Sequence, residues 1–77
     1  MDRPDDDAWL LDERRAIGNR IRTLRLDRNL TQEQVFLAVP VSRSVYQGIE
    51  SGQGNPTIAT LLRIARVLHV HVTDLLH

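Results

Sequence analysis

Residues 31–57 read TQEQVFLAVPVSRSVYQGIESGQGNPT, two short helical patterns on either side of a proline and then a polar loop. Thr31 followed three residues later by Gln34 is a capping box, in which the hydroxyl accepts an N–H of the first turn while the amide reaches back. That pattern predicts a helix from Gln32 to about Val39. Pro40 cannot continue it, because its ring removes a donor and biases Val39 away from helical angles. Ser42 is a second cap, opening a helix through Val45, Tyr46 and Ile49 that stops before Gly52. Ser51 to Thr57, with Gly52, Gly54, Asn55 and Pro56, is the clearest loop in the chain, and Thr57 can cap the helix after it.

Upstream, from Ala8 onward, Leu10, Ile17, Ile21 and Leu24 fall on one face with arginines between them, an amphipathic helix ending near Asn29. Downstream, Ile58, Leu61, Leu62, Ala65 and Leu68 fit the helical template. Leu68 to Thr73 alternates apolar and polar residues, but a lone strand would have no partner, so it reads as a connection to a final turn, Thr73 to Leu76. The expected class is all-α with five helices and no repeat. Ile21, Leu24, Val35, Val39, Ile49, Leu61 and Leu62 are the expected core.

At 77 residues and 42% apolar composition the chain is one small globular domain, and no apolar run approaches the roughly 18 residues of a membrane span, so it is expected to be soluble. Met1 leads into Asp2, Arg3, Pro4 and three aspartates, so a secretory signal is not expected. The absence of cysteine excludes a disulfide framework and a thiolate metal site, and fits an intracellular compartment. The zero net charge is split. Residues 1–13 set six acidic side chains against Arg3, a net −5, whereas the rest set nine arginines against Asp27, Glu33, Glu50 and Asp74, a net +5. A basic body favours polyanions such as nucleic acid, although the arginines also serve simply to solvate a surface.

The stretches IGNRIRTLR, LTQEQ, VSRSVYQGIESGQGNPT, LLRIARVL and VTDLL, in this order over residues 17 to 76, resemble the Cro/Xre-type helix-turn-helix family of phage repressors and bacterial transcriptional regulators. The resemblance implies a compact five-helix, lambda-repressor-like DNA-binding domain over residues 8–77, with a flexible acidic arm at 1–7. The third helix would be the recognition helix, placing Arg43, Ser44 and Gln47 against base edges in the major groove. A guanidinium can donate twice to guanine O6 and N7, and a glutamine amide can pair with adenine N6 and N7. Gln32 and Ser42 match positions that hold phosphates, joined by Ser51, Gln53 and Asn55; plain exposure for Gln32 and plain capping for Ser42 stay open. Arg25 and Glu50 match a structural salt bridge between the first and third helices.

The implied function is sequence-specific binding of double-stranded DNA by a small stand-alone bacterial cytoplasmic regulator, like a restriction-modification controller or an antitoxin. It would be a homodimer on a palindromic operator. Val70, Val72, Leu75 and Leu76 form an apolar C-terminal surface larger than one short helix can bury, a candidate dimer interface. The sequence also departs from the family. Phe36 stands where a small residue is usual, Pro40 where a turn glycine is, and Leu37 where a polar residue is. Either the Phe36 ring fills an enlarged core or Phe36, Leu37 and Pro40 form a partner surface. The latter supports an alternative function, a protein-interaction module with weak or no DNA binding. The acidic arm either competes with DNA for the basic surface or complements the dipole of the first helix. His69, His71 and His77 do not complete a closed metal set, no cofactor is implied, and the serines lack a positioned His and Asp, so an enzyme is not expected.

Overall fold

A computed structural model describes residues 7–77 and contains, among them, helices α1 (Ala8–Asp27), α2 (Gln32–Ala38), α3 (Arg43–Ser51), α4 (Ile58–Leu68) and α5 (Thr73–Leu76). All of the acidic arm except Asp7 lies outside the described residues. Asp7 precedes α1 without a side-chain cap bond.

Three helices start where a hydroxyl takes up a free N–H. Thr31 Oγ1 accepts from Gln34 N at 3.0 Å and Thr31 N donates to Gln34 Oε1 at 2.8 Å, completing the capping box. Ser42 Oγ accepts from Val45 N and Thr57 Oγ1 from Thr60 N. The ends use left-handed residues: Asn29 (φ 56°) just beyond α1, Gly52 (φ 82°) after α3 and His69 (φ 58°) after α4. The turn between α2 and α3 departs from expectation at one residue. Val39 keeps helical angles, φ −56° and ψ −50°, because its N–H still donates to Val35 O and its side chain is buried; the Val39–Pro40 peptide is cis.

α1 packs mainly on α3 and α5, and α2 lies between α3 and α4. Close approach of α1 to α3 depends on Gly18, where an added Cβ would fall well inside 3.0 Å of the carbonyl oxygens of Ile49 and Glu50. The core comprises Ile21, Val35, Phe36, Val39, Tyr46, Ile49, Leu61, Ile64, Ala65, Leu68 and Leu75.

Several sequence expectations need correction here. Leu62 is 49% exposed and Ile64 takes the core position, since α4 presents the stripe Leu61, Ile64, Ala65 and Leu68 inward. Leu24 is only half-buried at the edge of the core. Leu75 is fully buried in the single chain and Val70 and Val72 pack against the core, because α5 seats on α1, where Arg20 Nη1 donates to Leu75 O at 3.3 Å. Of the four residues assigned to a dimer interface, Leu75 is buried within the single chain, Val70 and Val72 are half-buried against the core and Leu76 is exposed. Phe36, at 6% exposure, enters the core against Tyr46, ring centroids 6.4 Å apart and tilted by 47°. A partner surface containing Phe36 is therefore excluded, and only Leu37, 67% exposed, and Pro40 remain outside.

Candidate nucleic-acid interface

The orientation of α3 is set by one carboxylate. Glu50, in the last turn of α3, is buried and receives four donors. Arg25 Nε donates to Oε2 at 2.7 Å and Arg25 Nη2 to Oε1 at 3.2 Å, a two-pronged ion pair from α1. Gln32 Nε2, at the start of α2, donates to Oε1 at 3.1 Å, and the Tyr46 hydroxyl, one turn earlier on α3, donates to Oε2. Arg25 Nη1 also donates to Leu30 O at 2.8 Å, tying in the α1–α2 connection. Burial alone would raise the Glu50 pKa, but the hydrogen bonds from Arg25, Tyr46 and Gln32 outweigh it and hold the carboxyl below its ordinary value. Burial, followed by the hydrogen bond to Glu50, pushes the Tyr46 phenol well above its ordinary value, and the hydrogen bond to Glu50 raises Arg25. Glu50 thus fixes α1, α2 and α3 relative to one another.

The opposite face of α3 is exposed and carries Arg43, Ser44 and Gln47. Arg43 lies across α2: its guanidinium carbon is 5.1 Å from the centroid of the Phe36 ring, and Nη2 donates to Glu33 Oε2 at 3.4 Å. Gln47 Nε2 donates to Gln32 Oε1 at 3.3 Å. Gln32 is therefore not simply exposed; its amide joins the buried Glu50 carboxylate to a side chain on the outer face. Ser42 serves as the α3 cap, its Oγ 3.5 Å from Ser44 Oγ.

The residues assigned to phosphates do not form one cluster. Gln32, Gln47 and Ser51 line an open groove of about 510 Å³ between α3 and α1, together with Arg15, Asn19, Arg22, Arg25 and Glu50. Asn55 and Ser44 line a smaller cleft of about 220 Å³ between α3 and the loop, with Val45, Gly48, Ile49, Gly54 and Pro56. Gln53 is exposed, its backbone N–H donating to Gly48 O at 3.0 Å, and Ser51 Oγ donates to the same carbonyl at 3.1 Å. Arg15, Asn19 and Arg22 were not singled out in the sequence. Their signal was present: spacings of four and three put them on one helical stripe, continued by Arg25. Among the described residues, no three His, Cys, Asp or Glu side chains are grouped to hold a metal, and no helix is long and apolar enough to cross a membrane.

Two capped helices joined by a tight turn, the second projecting polar side chains, define the class as a helix-turn-helix protein. A helix-turn-helix family model matches residues 21–75, and the chain belongs to this family, of the Cro/Xre type, whose members are DNA-binding transcriptional regulators. It is 34% identical over 65 residues to an uncharacterized HTH-type transcriptional regulator, y4dJ, of Sinorhizobium fredii, covering 84% of each chain. Over 73 residues it is 30% identical to control protein C.SmaI of Serratia marcescens, covering 95% of this chain and 87% of that protein. The crystal structure of the restriction-modification controller protein C.AhdI from Aeromonas hydrophila superposes with a TM-score of 0.80 at 30% identity, covering 83% of this chain and 97% of that one.

Proposed function

We propose that the protein binds double-stranded DNA in a sequence-specific manner, with α3 in the major groove, and regulates transcription from the bound site in the bacterial cytoplasm. The observation that carries this reading is the division of α3 into two faces. One face is held by buried Tyr46, Ile49 and Glu50, and the other leaves Arg43, Ser44 and Gln47 exposed beside Val45. Arg43 donates to guanine, Gln47 to adenine, and Ser44 to either. Arg15 and Arg22 flank the α3 groove and neutralise phosphates on one side, while Ser51, Gln53 and Asn55 contact the backbone around the end of α3. A homodimer is typical of the family, and such a dimer on a two-fold operator would set the recognition helices about 34 to 36 Å apart.

Selection from a random duplex pool, followed by footprinting of the enriched sequences, tests the proposal. Enrichment of a paired motif, with affinity that falls steeply as salt rises, is the expected result. Failure to bind any duplex at low salt would overturn it.

A further inference from the structure

The contacts of Arg43 run to α2 rather than to its own helix. Phe36 is buried in the core, yet one part of its ring carries the Arg43 guanidinium at 5.1 Å, while Tyr46 packs elsewhere against it at 6.4 Å. Glu33, one helical turn before Phe36, accepts from a single nitrogen of the same guanidinium at 3.4 Å. Both partners of this ion pair have side chains 62% exposed, so the pair sits at the solvent edge of the α2–α3 corner. A guanidinium has five N–H donors in a fixed fork. One bond to Glu33 and a face on Phe36 leave an edge of that fork free to donate.

From this geometry we infer that Glu33 and Phe36 are positioning residues, a clamp that makes Arg43 a base reader rather than a phosphate contact. The inference rests on the DNA-binding reading above. Two physical effects combine in it. The aromatic platform restricts a long side chain that would otherwise sample many rotamers, so less ordering remains to be done when a guanine is bound. The Glu33 carboxylate offsets the Arg43 charge and repels the DNA backbone, which lowers the affinity of Arg43 for phosphates that carry no sequence information.

The clamp is tested with Phe36→Leu, which keeps an apolar side chain in the core but removes the ring face, with Phe36→Tyr, which keeps the face, and with Glu33→Gln. Two readouts are taken. The first is nitrogen-15 NMR of the Arg43 Nε–H in the free protein, where wild type and Phe36→Tyr should show a dispersed, slowly averaging signal that Phe36→Leu and Glu33→Gln lose. The second is affinity for a duplex selected from a random pool against affinity for the unselected pool. Phe36→Leu should lower the selected-to-random ratio about two- to fivefold, a change the Tyr variant does not produce. Glu33→Gln should lower the ratio by a similar factor of about two to five, mainly by tightening binding to random duplex. Equal Arg43 signals in all four proteins, or unchanged base preferences in both Phe36→Leu and Glu33→Gln, would overturn the clamp. A wild-type protein that binds no duplex would instead overturn the DNA-binding proposal, and the NMR signals would still judge the clamp.

Discussion

Among the described residues, two arginine–glutamate pairs reach α3, and they have the same chemistry in opposite surroundings. Arg25–Glu50 is buried, two-pronged and joined by Tyr46 and Gln32; Arg43–Glu33 is a single exposed contact at 3.4 Å. Away from water, each partner would be left desolvated without the other, so the first pair fixes where three helices meet. Exposed to water and salt, the second pair contributes little to stability and leaves an edge of the Arg43 guanidinium free. The inner pair therefore makes the outer face reproducible, and the outer pair leaves it open to a ligand.

The largest effect expected from this contrast is at Glu50. Glu50→Ala leaves Arg25, Tyr46 and Gln32 without their acceptor and should destabilise the fold by about 3 to 5 kcal/mol in urea titration. A loss below about 1 kcal/mol, the range of exposed pairs, would erase the distinction between the two. Acidification should reach the same group. Its folded pKa is lowered, so its stabilisation is present above the unfolded carboxylate value of about 4.3 and is lost as pH falls through the lower folded value. Melting curves between neutral and strongly acidic pH should show a drop in wild type that Glu50→Gln flattens.

A smaller effect is expected where α1 crosses α3. Gly18→Ala pushes a methyl group against the Ile49 and Glu50 carbonyls and should cost about 1 to 3 kcal/mol in urea titration, the range for overpacking. Smallest of all is the outer pair. Glu33→Gln should change stability by no more than about 0.5 kcal/mol in the same titration, as for surface substitutions generally.

The same contrast explains what was legible in the sequence. Helix starts are local, so Thr31, Ser42 and Thr57 announce them, and all three accept the bond of an N-terminal cap. Burial is not local. Helical spacing alone gives Leu62 and Ile64 comparable claims to the core, and only the position of α4 against its neighbours decides for Ile64. Leu75 looked available for a partner because nothing near it in sequence covers it; α1, more than fifty residues away, does so. At the candidate site, residue types pointed to Arg43 and Gln47 through the family resemblance. Their contacts with Glu33, Phe36 and Gln32 depend on the α2–α3 crossing, which helical spacing within either helix does not set.

The central claim, that the exposed face of α3 reads sequence while the buried face only holds it, is tested most directly on Arg43→Ala. Affinity for a selected duplex and for random duplex should be measured at one salt concentration, alongside the melting temperature. Arg43→Ala should lose about 1 to 3 kcal/mol on the selected duplex, relax preference at one base pair per half-site, lose less on random duplex and leave the melting temperature unchanged. Equal losses on both duplexes would reduce Arg43 to a phosphate contact and contradict the claim.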